Sequence, residues 1–354
     1  MAPFPPPTAP TVWSRLKAGV RRHPVLCLMF LTPGIPEYLS GSSSPVGLVA
    51  SPPGFALFLA LNVGMYTGGV LLIREAKVRW RLGWASVLAL GLAYGIAEEG
   101  LALTTLFDPN NSQVSPSTAG AWGGVNWGWS SGILPFHAVF SVAVPLFLLD
   151  QALPEIRGRS ILTDRELVPT AVAYLATIGA LGFAFASHIY WMGTPVLLGA
   201  LVAIAGLVLL ARRLPPDLLR LPDRRPTAGP RALFLGGATI FPILLLGPGL
   251  ASTVHPPIPL LVLVAPALWT VYAAILLPHL GRVDGEAARI ALAAGIVSPL
   301  VVSGEFVGLV KGAVGLPLVV LVDALALLFL WRLYQGAAHP SAPVRLAPPA
   351  GALA

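Results

Sequence analysis

Long apolar runs alternate along the chain with short polar segments that hold most of its charge. The runs fall near residues 24–38, 54–73, 84–107, 132–149, 168–190, 195–211, 232–250, 258–280, 288–310 and 316–333. Most are long enough for a helix to cross a hydrocarbon layer about 30 Å thick. A helix satisfies its own backbone polar groups, so apolar runs of this length predict helices rather than strands in lipid. The expectation is an all-α, polytopic transmembrane bundle of about ten spans. The first span is short and interrupted: Val25 to Leu31 is followed by Pro33, Gly34 and Pro36. Basic residues before it resemble the start of a signal peptide, but no small-residue cleavage site follows, so it reads as a retained span.

The third run, WASVLALGLAYGIAEEGLALTTLF over 84–107, departs from this pattern because two adjacent carboxylates, Glu98 and Glu99, sit inside it. They fall roughly 20 Å along the helix, at membrane depth. An ionisable group there costs about 3 kcal/mol or more unless it faces a bundle interior or a wet cavity. Gly91, Gly95 and Ala102 recur on the Glu98 face, which lets another helix approach closely and turns the acids into protein.

Composition narrows the class. Charged residues make up 10% of the 354, against about 25% in a soluble domain, and mean hydropathy is +0.79. The pI near 10 does not call for nucleic acid, because the cations sit in short loops between spans. With both termini cytoplasmic, every Lys and Arg except Lys311 falls at or beside cytoplasmic loops or tails, as the positive-inside rule requires. Residues 1–23 and 334–354 then read as cytoplasmic tails flanking a transmembrane domain over 24–333. The expected location is the inner (cytoplasmic) membrane of a prokaryotic cell, with the lipid bilayer as partner and no oligomeric state defined. The single Cys27 excludes an internal disulfide. Phosphate-binding loops, Cys-x-x-Cys pairs and nucleophile elbows are absent from the sequence, so ATP-driven, redox and serine-hydrolase chemistry finds no motif.

In this orientation Glu98 lies about 13 Å below the outer boundary, His137 on the fourth span roughly 8 Å and His188 on the fifth about 3 to 6 Å. Two carboxylates and two imidazoles thus reach the outer half of the bilayer from three consecutive helices. Such a set suits activation of water: one carboxylate takes the proton, the second orients or stores it, and imidazoles donate to a developing oxyanion. Two histidines and a carboxylate are also a common divalent-metal set.

These residues resemble the CPBP family of intramembrane glutamate proteases, which process CAAX proteins and bacteriocins. That family carries a Glu-Glu pair, then Phe-x-x-x-His, then His-x-x-x-Asn on later helices. Glu98 and Glu99, His137 and His188 match in order over a core of about 84–195. Leu103, Ile133 and Met192 stand where the family has Arg, Phe and Asn. The resemblance implies a metal-independent, cofactor-free hydrolase acting on a membrane-anchored peptide. Glu98 and His137 would activate water, Glu99 would support them, and His188 would help bind the oxyanion.

Plainer accounts exist for each residue. A buried carboxylate can simply bond to a neighbouring helix, and His188, beside Tyr190 and Trp191, can be an interfacial anchor. Arg74 and Glu75 read as a local interfacial pair. Three further acids, Glu37, Glu305 and Asp323, fall toward the outer ends of their spans, which leaves a transporter or binding protein for a cation or small polar solute as the alternative.

Overall fold

The computed structural model describes residues 19, 21, 23–43, 51–111, 121–219, 229–244, 257, 286–311 and 316–338. The eighth expected span, 258–280, lies outside the described residues, as do His255, His279, His339 and most of both tails. Numbered in chain order, the helices are α1 (Pro24–Pro33, continued by a wider turn over Gly34–Tyr38), α2 (Pro52–Arg79), α3 (Trp84–Ala102), α4 (Trp127–Ala152) and α5 (Asp164–His188). They are followed by α6 (Thr194–Arg213), α7 (Pro230–Leu244), α8 (Glu286–Lys311) and α9 (Leu316–Ala338). Seven helices among the described residues are long and apolar enough to cross a membrane, so the protein is an all-α integral membrane protein. α1 and α7 are shorter.

Among the described residues the one strand pair lies in the expected Trp-rich loop before α4. Two strands, β1 (Ala121–Trp122) and β2 (Val125–Asn126), pair there as a hairpin around Gly123 and Gly124, both at positive φ. Asn126 then caps α4, accepting from the Trp129 amide at 3.0 Å.

α3 forms the centre of the bundle: 78% of its apolar window is buried inside protein, against 11% for α5, α6 and α9. The outer helices instead present large apolar side chains outward, Phe183, Val202 and Leu325 among them, as a lipid-facing surface requires. Helix α4 lies against α3 where the small residues predicted. A Cβ on Gly91 would stand 2.6 Å from the Ala138 Cα, and one on Gly95 would stand 3.3 Å from the His137 Cβ. The absent side chains bring the histidine's helix to the carboxylates' helix. On the far side α5 crosses α3 at Gly182, whose Cβ would meet the Leu101 carbonyl at 2.3 Å.

Three apolar clusters among the described residues surround this axis, one of them joining Leu106 and Phe107 to Met192 and to Ala200 of α6. Met65, Val70, Leu90, Val142, Leu146 and Leu149 fill the space among α1 to α5, and Phe140, Leu148, Leu233, Leu292 and Leu300 join α4 to α7 and α8.

Because the Gly91 approach leaves no room for a side chain, Gly91→Leu should destabilise the protein by about 1–3 kcal/mol, whereas Gly199→Ala, with open space around its Cβ, should be neutral or slightly stabilising. Thermal unfolding of the two variants in detergent checks both.

Candidate functional site

Among the described residues four helical segments take π geometry, and each carries a polar residue inward. The wider, π-helical turns cover Gly34–Tyr38 with Glu37, Ala60–Thr67 with Tyr66, Ile96–Ala102 with Glu98 and Glu99, and His137–Ala143 with His137 and Ser141. In each the hydrogen bonds reach five residues back. Leu39 N–H donates to Gly34 at 2.9 Å, Leu103 N–H to Glu98 at 2.9 Å, and the Val144 amide bonds to Val139. Proline accounts for part of this: Pro33, Pro36 and Pro135 lack the amide that would continue the α ladder. An inserted residue rotates the helix face, so polar side chains turn inward while the flanking apolar residues keep their packing.

At the centre the His137 ring lies between the two carboxylates. Its Nε2 is 2.9 Å from Glu99 Oε1, and its Nδ1 is 3.1 Å from Glu98 Oε2 and 2.9 Å from Ser141 Oγ. Glu98 and His137 are each 1% exposed and Glu99 7%. With Nε2 donating to Glu99, Nδ1 accepts from Ser141 in the neutral ring and donates in the imidazolium. Glu99 is anchored on its other side, where the Thr105 hydroxyl donates to Oε2; the Trp129 indole donates to that hydroxyl at 3.4 Å. Thr105 reaches back because Thr104 takes a left-handed conformation at φ 59°, strained for a β-branched residue.

Glu98 is held differently. Neither of its oxygens has a well-directed hydrogen bond, and the buried Tyr94 hydroxyl beside it faces this carboxylate. Tyr66 also flanks Glu98, but its hydroxyl donates to Glu37 Oε1 at 2.5 Å. Glu37 in turn accepts from Ser42 at 2.8 Å and from Ser43. A polar series therefore runs Glu37, Tyr66, Glu98, His137, Glu99, Thr105 through the bundle.

Three of the four expected site residues come together and the fourth does not. His188 is exposed at the C-terminal end of α5 and is not among the clustered groups. The fifth helix contributes Tyr174 instead, stacked on Tyr94 at 6.5 Å between ring centroids. Glu37 joins the series, whereas Glu305 and Asp323 lie close to each other on α8 and α9, apart from it. Tyr66 and Tyr94 carry no sequence signal of their own. Their placement follows from the turn at Ala60–Thr67 and from Tyr94 preceding Glu98 by four residues.

Arg74 and Glu75 do pair, at 3.4 Å as expected from sequence, but inside the protein rather than at an interface, for they are 2% and 0% exposed. Arg74 donates to the carbonyls of Arg159 and Ile156 at 3.0 and 2.8 Å, and Glu75 accepts from the Ile161 amide at 2.9 Å and from Arg79 at 2.9 Å. They tie the end of α2 to the connection between α4 and α5.

Glu98, Glu99 and His137 can each offer one ligand atom within 4.8 Å of the others, so a metal ion is chemically admissible. Their orientation favours a proton: the carboxylates address opposite nitrogens of one ring, whereas a metal needs donors converging on a point.

A family model described as an uncharacterized membrane protein family matches residues 26–214, more than half of the chain. The match spans every member of the polar series. No curated protein and no solved structure matches the chain.

Thr105→Val keeps the shape but removes the donor to Glu99, which should cost about 1–3 kcal/mol of stability; Thr105→Ser, which restores the hydroxyl, should recover most of it in the same detergent unfolding measurement.

Proposed function

We propose, for a chain that belongs to this uncharacterized membrane protein family, that Glu98, His137 and Glu99 form a buried acid–base centre that activates water against a peptide bond held in the membrane. The carrying observation is Glu98 itself: a fully buried carboxylate, free of well-directed hydrogen bonds, set 3.1 Å from a ring nitrogen that is fixed from its far side. A buried polar group without such a bond calls for an explanation, and a reactive role with a bound water is one.

In this reading Glu98 takes a proton from a water lying between its oxygens and the imidazole. The resulting hydroxide attacks the carbonyl carbon, the C–N bond breaks, and the proton is delivered through His137 to the departing amine. Glu99 orients the ring and balances its positive charge, as the carboxylate of a catalytic triad does. The resemblance to CPBP proteases supports the Glu–His pairing. His188 does not carry the oxyanion role, being away from the cluster, and the Tyr94 hydroxyl beside Glu98 takes its place as donor.

A second reading rests on the link from Tyr66 to Glu37. A polar series that extends past the three-residue centre suits passage of a proton or cation as well as hydrolysis.

The two separate in vesicles. With a membrane-anchored peptide reporter, Glu98→Gln and His137→Ala should each lower cleavage about 100-fold or more, and a chelator should leave it unchanged. Cleavage that survives Glu98→Gln overturns the hydrolase. Loss of proton or cation flux in the same variants, without cleavage by the unaltered protein, establishes transport.

A further inference from the structure

A second polar feature lies away from the centre, where α2 ends against the connection between α4 and α5. A cavity of about 350 Å³ opens there, lined by Arg74, Lys77, Arg81 and Arg157, with Asp150 as the carboxylate in its wall and Leu146 on its apolar side. It holds roughly ten water volumes. Asp150 contacts Lys77, while Glu75 and Glu286, outside the lining, lie 3.4 Å from Arg74 and Arg157. Arg81 is therefore the cation of the lining that no carboxylate offsets among the described residues, and an anion entering the cavity would offset it.

Three of these cations are held in place. Arg74 is fixed by the carbonyls of Arg159 and Ile156 and keeps a buried Nε with no partner. Lys77 is clamped by Asp150 at 2.8 Å and lies over the Trp84 ring at 4.3 Å. Arg157 donates to the Asp150 carbonyl at 3.0 Å and reaches Glu286 at 3.4 Å. Arg81 is exposed, and its side chain makes no hydrogen bond or ion pair among the described residues; its backbone sits at φ 54°, just beyond the end of α2. The result is a set of positioned donors with one unengaged guanidinium at the rim.

We infer that this cavity binds a phosphate-bearing anion, its arginines supplying the forked donors that a phosphate accepts. Guanidinium groups match phosphate oxygens in pairs, and Lys adds a point charge. The cavity lies at the end of the bundle where sequence gathers the basic loops, the side on which anionic lipid headgroups are recognised by such pockets. A phospholipid headgroup and free phosphate share this chemistry. The inference is independent of the Glu–His centre, since it uses none of its residues.

The test is thermal unfolding of the full chain in a nonionic detergent, titrated with phosphatidylglycerol, phosphatidylcholine or inorganic phosphate. Phosphatidylglycerol should protect at lower concentration than phosphatidylcholine, and Arg81→Gln combined with Arg157→Gln should raise the required concentration about tenfold. Arg81→Lys should keep most of the response. Protection by inorganic phosphate at the same concentration, lost in the double variant, identifies the free anion as the ligand. The inference fails if neither anion protects more than phosphatidylcholine, or if the folded double variant responds like the unaltered protein. Should the double variant not fold, Arg81→Gln alone decides the matter, because that side chain holds nothing else in place.

Discussion

The His137 ring between Glu98 and Glu99 is the contact to which the bundle is fitted. Removing charged groups from water costs several kcal/mol each, and mutual attraction repays it only at close range. Both carboxylates therefore have to meet the ring within about hydrogen-bond distance. Adjacent residues on an α-helix point about 100° apart and cannot both do so easily. The π turn at Ile96–Ala102 and the matching turn beginning at His137 resolve that conflict. The backbones must also come close, which Gly91 and Gly95 permit.

The same constraint explains which helix is central. α3 carries the acids and is the most enclosed of the spans, while α5, α6 and α9 keep almost wholly apolar, outward-facing surfaces. Strain accumulates where the centre needs it: the left-handed Thr104 exists to aim Thr105 at Glu99. At the other end of α2, Glu75 solves a similar problem by different means. It gathers Arg79, Ser160 and two loop amides, so a buried charge becomes the clasp of a connection rather than a reactive group.

Much of this was legible in the sequence for definite reasons. Long apolar runs allow little besides helices, and the Glu pair within one of them has no cheap explanation. Glycine spacing identified the face that α4 would cover. What escaped was local geometry. The π turn at Ala60–Thr67 contains no proline and leaves no periodic signature, so Tyr66 and its link to Glu37 could not be anticipated. Order along the chain suggested His188, yet α5 crosses α3 at Gly182, two turns before the histidine, and Tyr174 reaches the cluster while His188 runs past it. Arg74 and Glu75 misled because charge beside a helix end usually means water, whereas here a loop folds over them.

The family match stops at residue 214, and the polar series lies wholly within it. The helices that follow serve the centre indirectly. Phe136 and Phe140 on α4 flank His137, and Phe241 of α7 packs on both, at 6.3 and 5.9 Å between ring centroids. α7 itself is pressed onto α8, where a Cβ on Gly295 would lie 2.0 Å from the Phe234 carbonyl. The consequence is an apolar wall behind the histidine on the side away from α3. Electrostatic interactions strengthen as water is excluded, so α7 and α8 help set the medium in which the Glu–His–Glu contact operates.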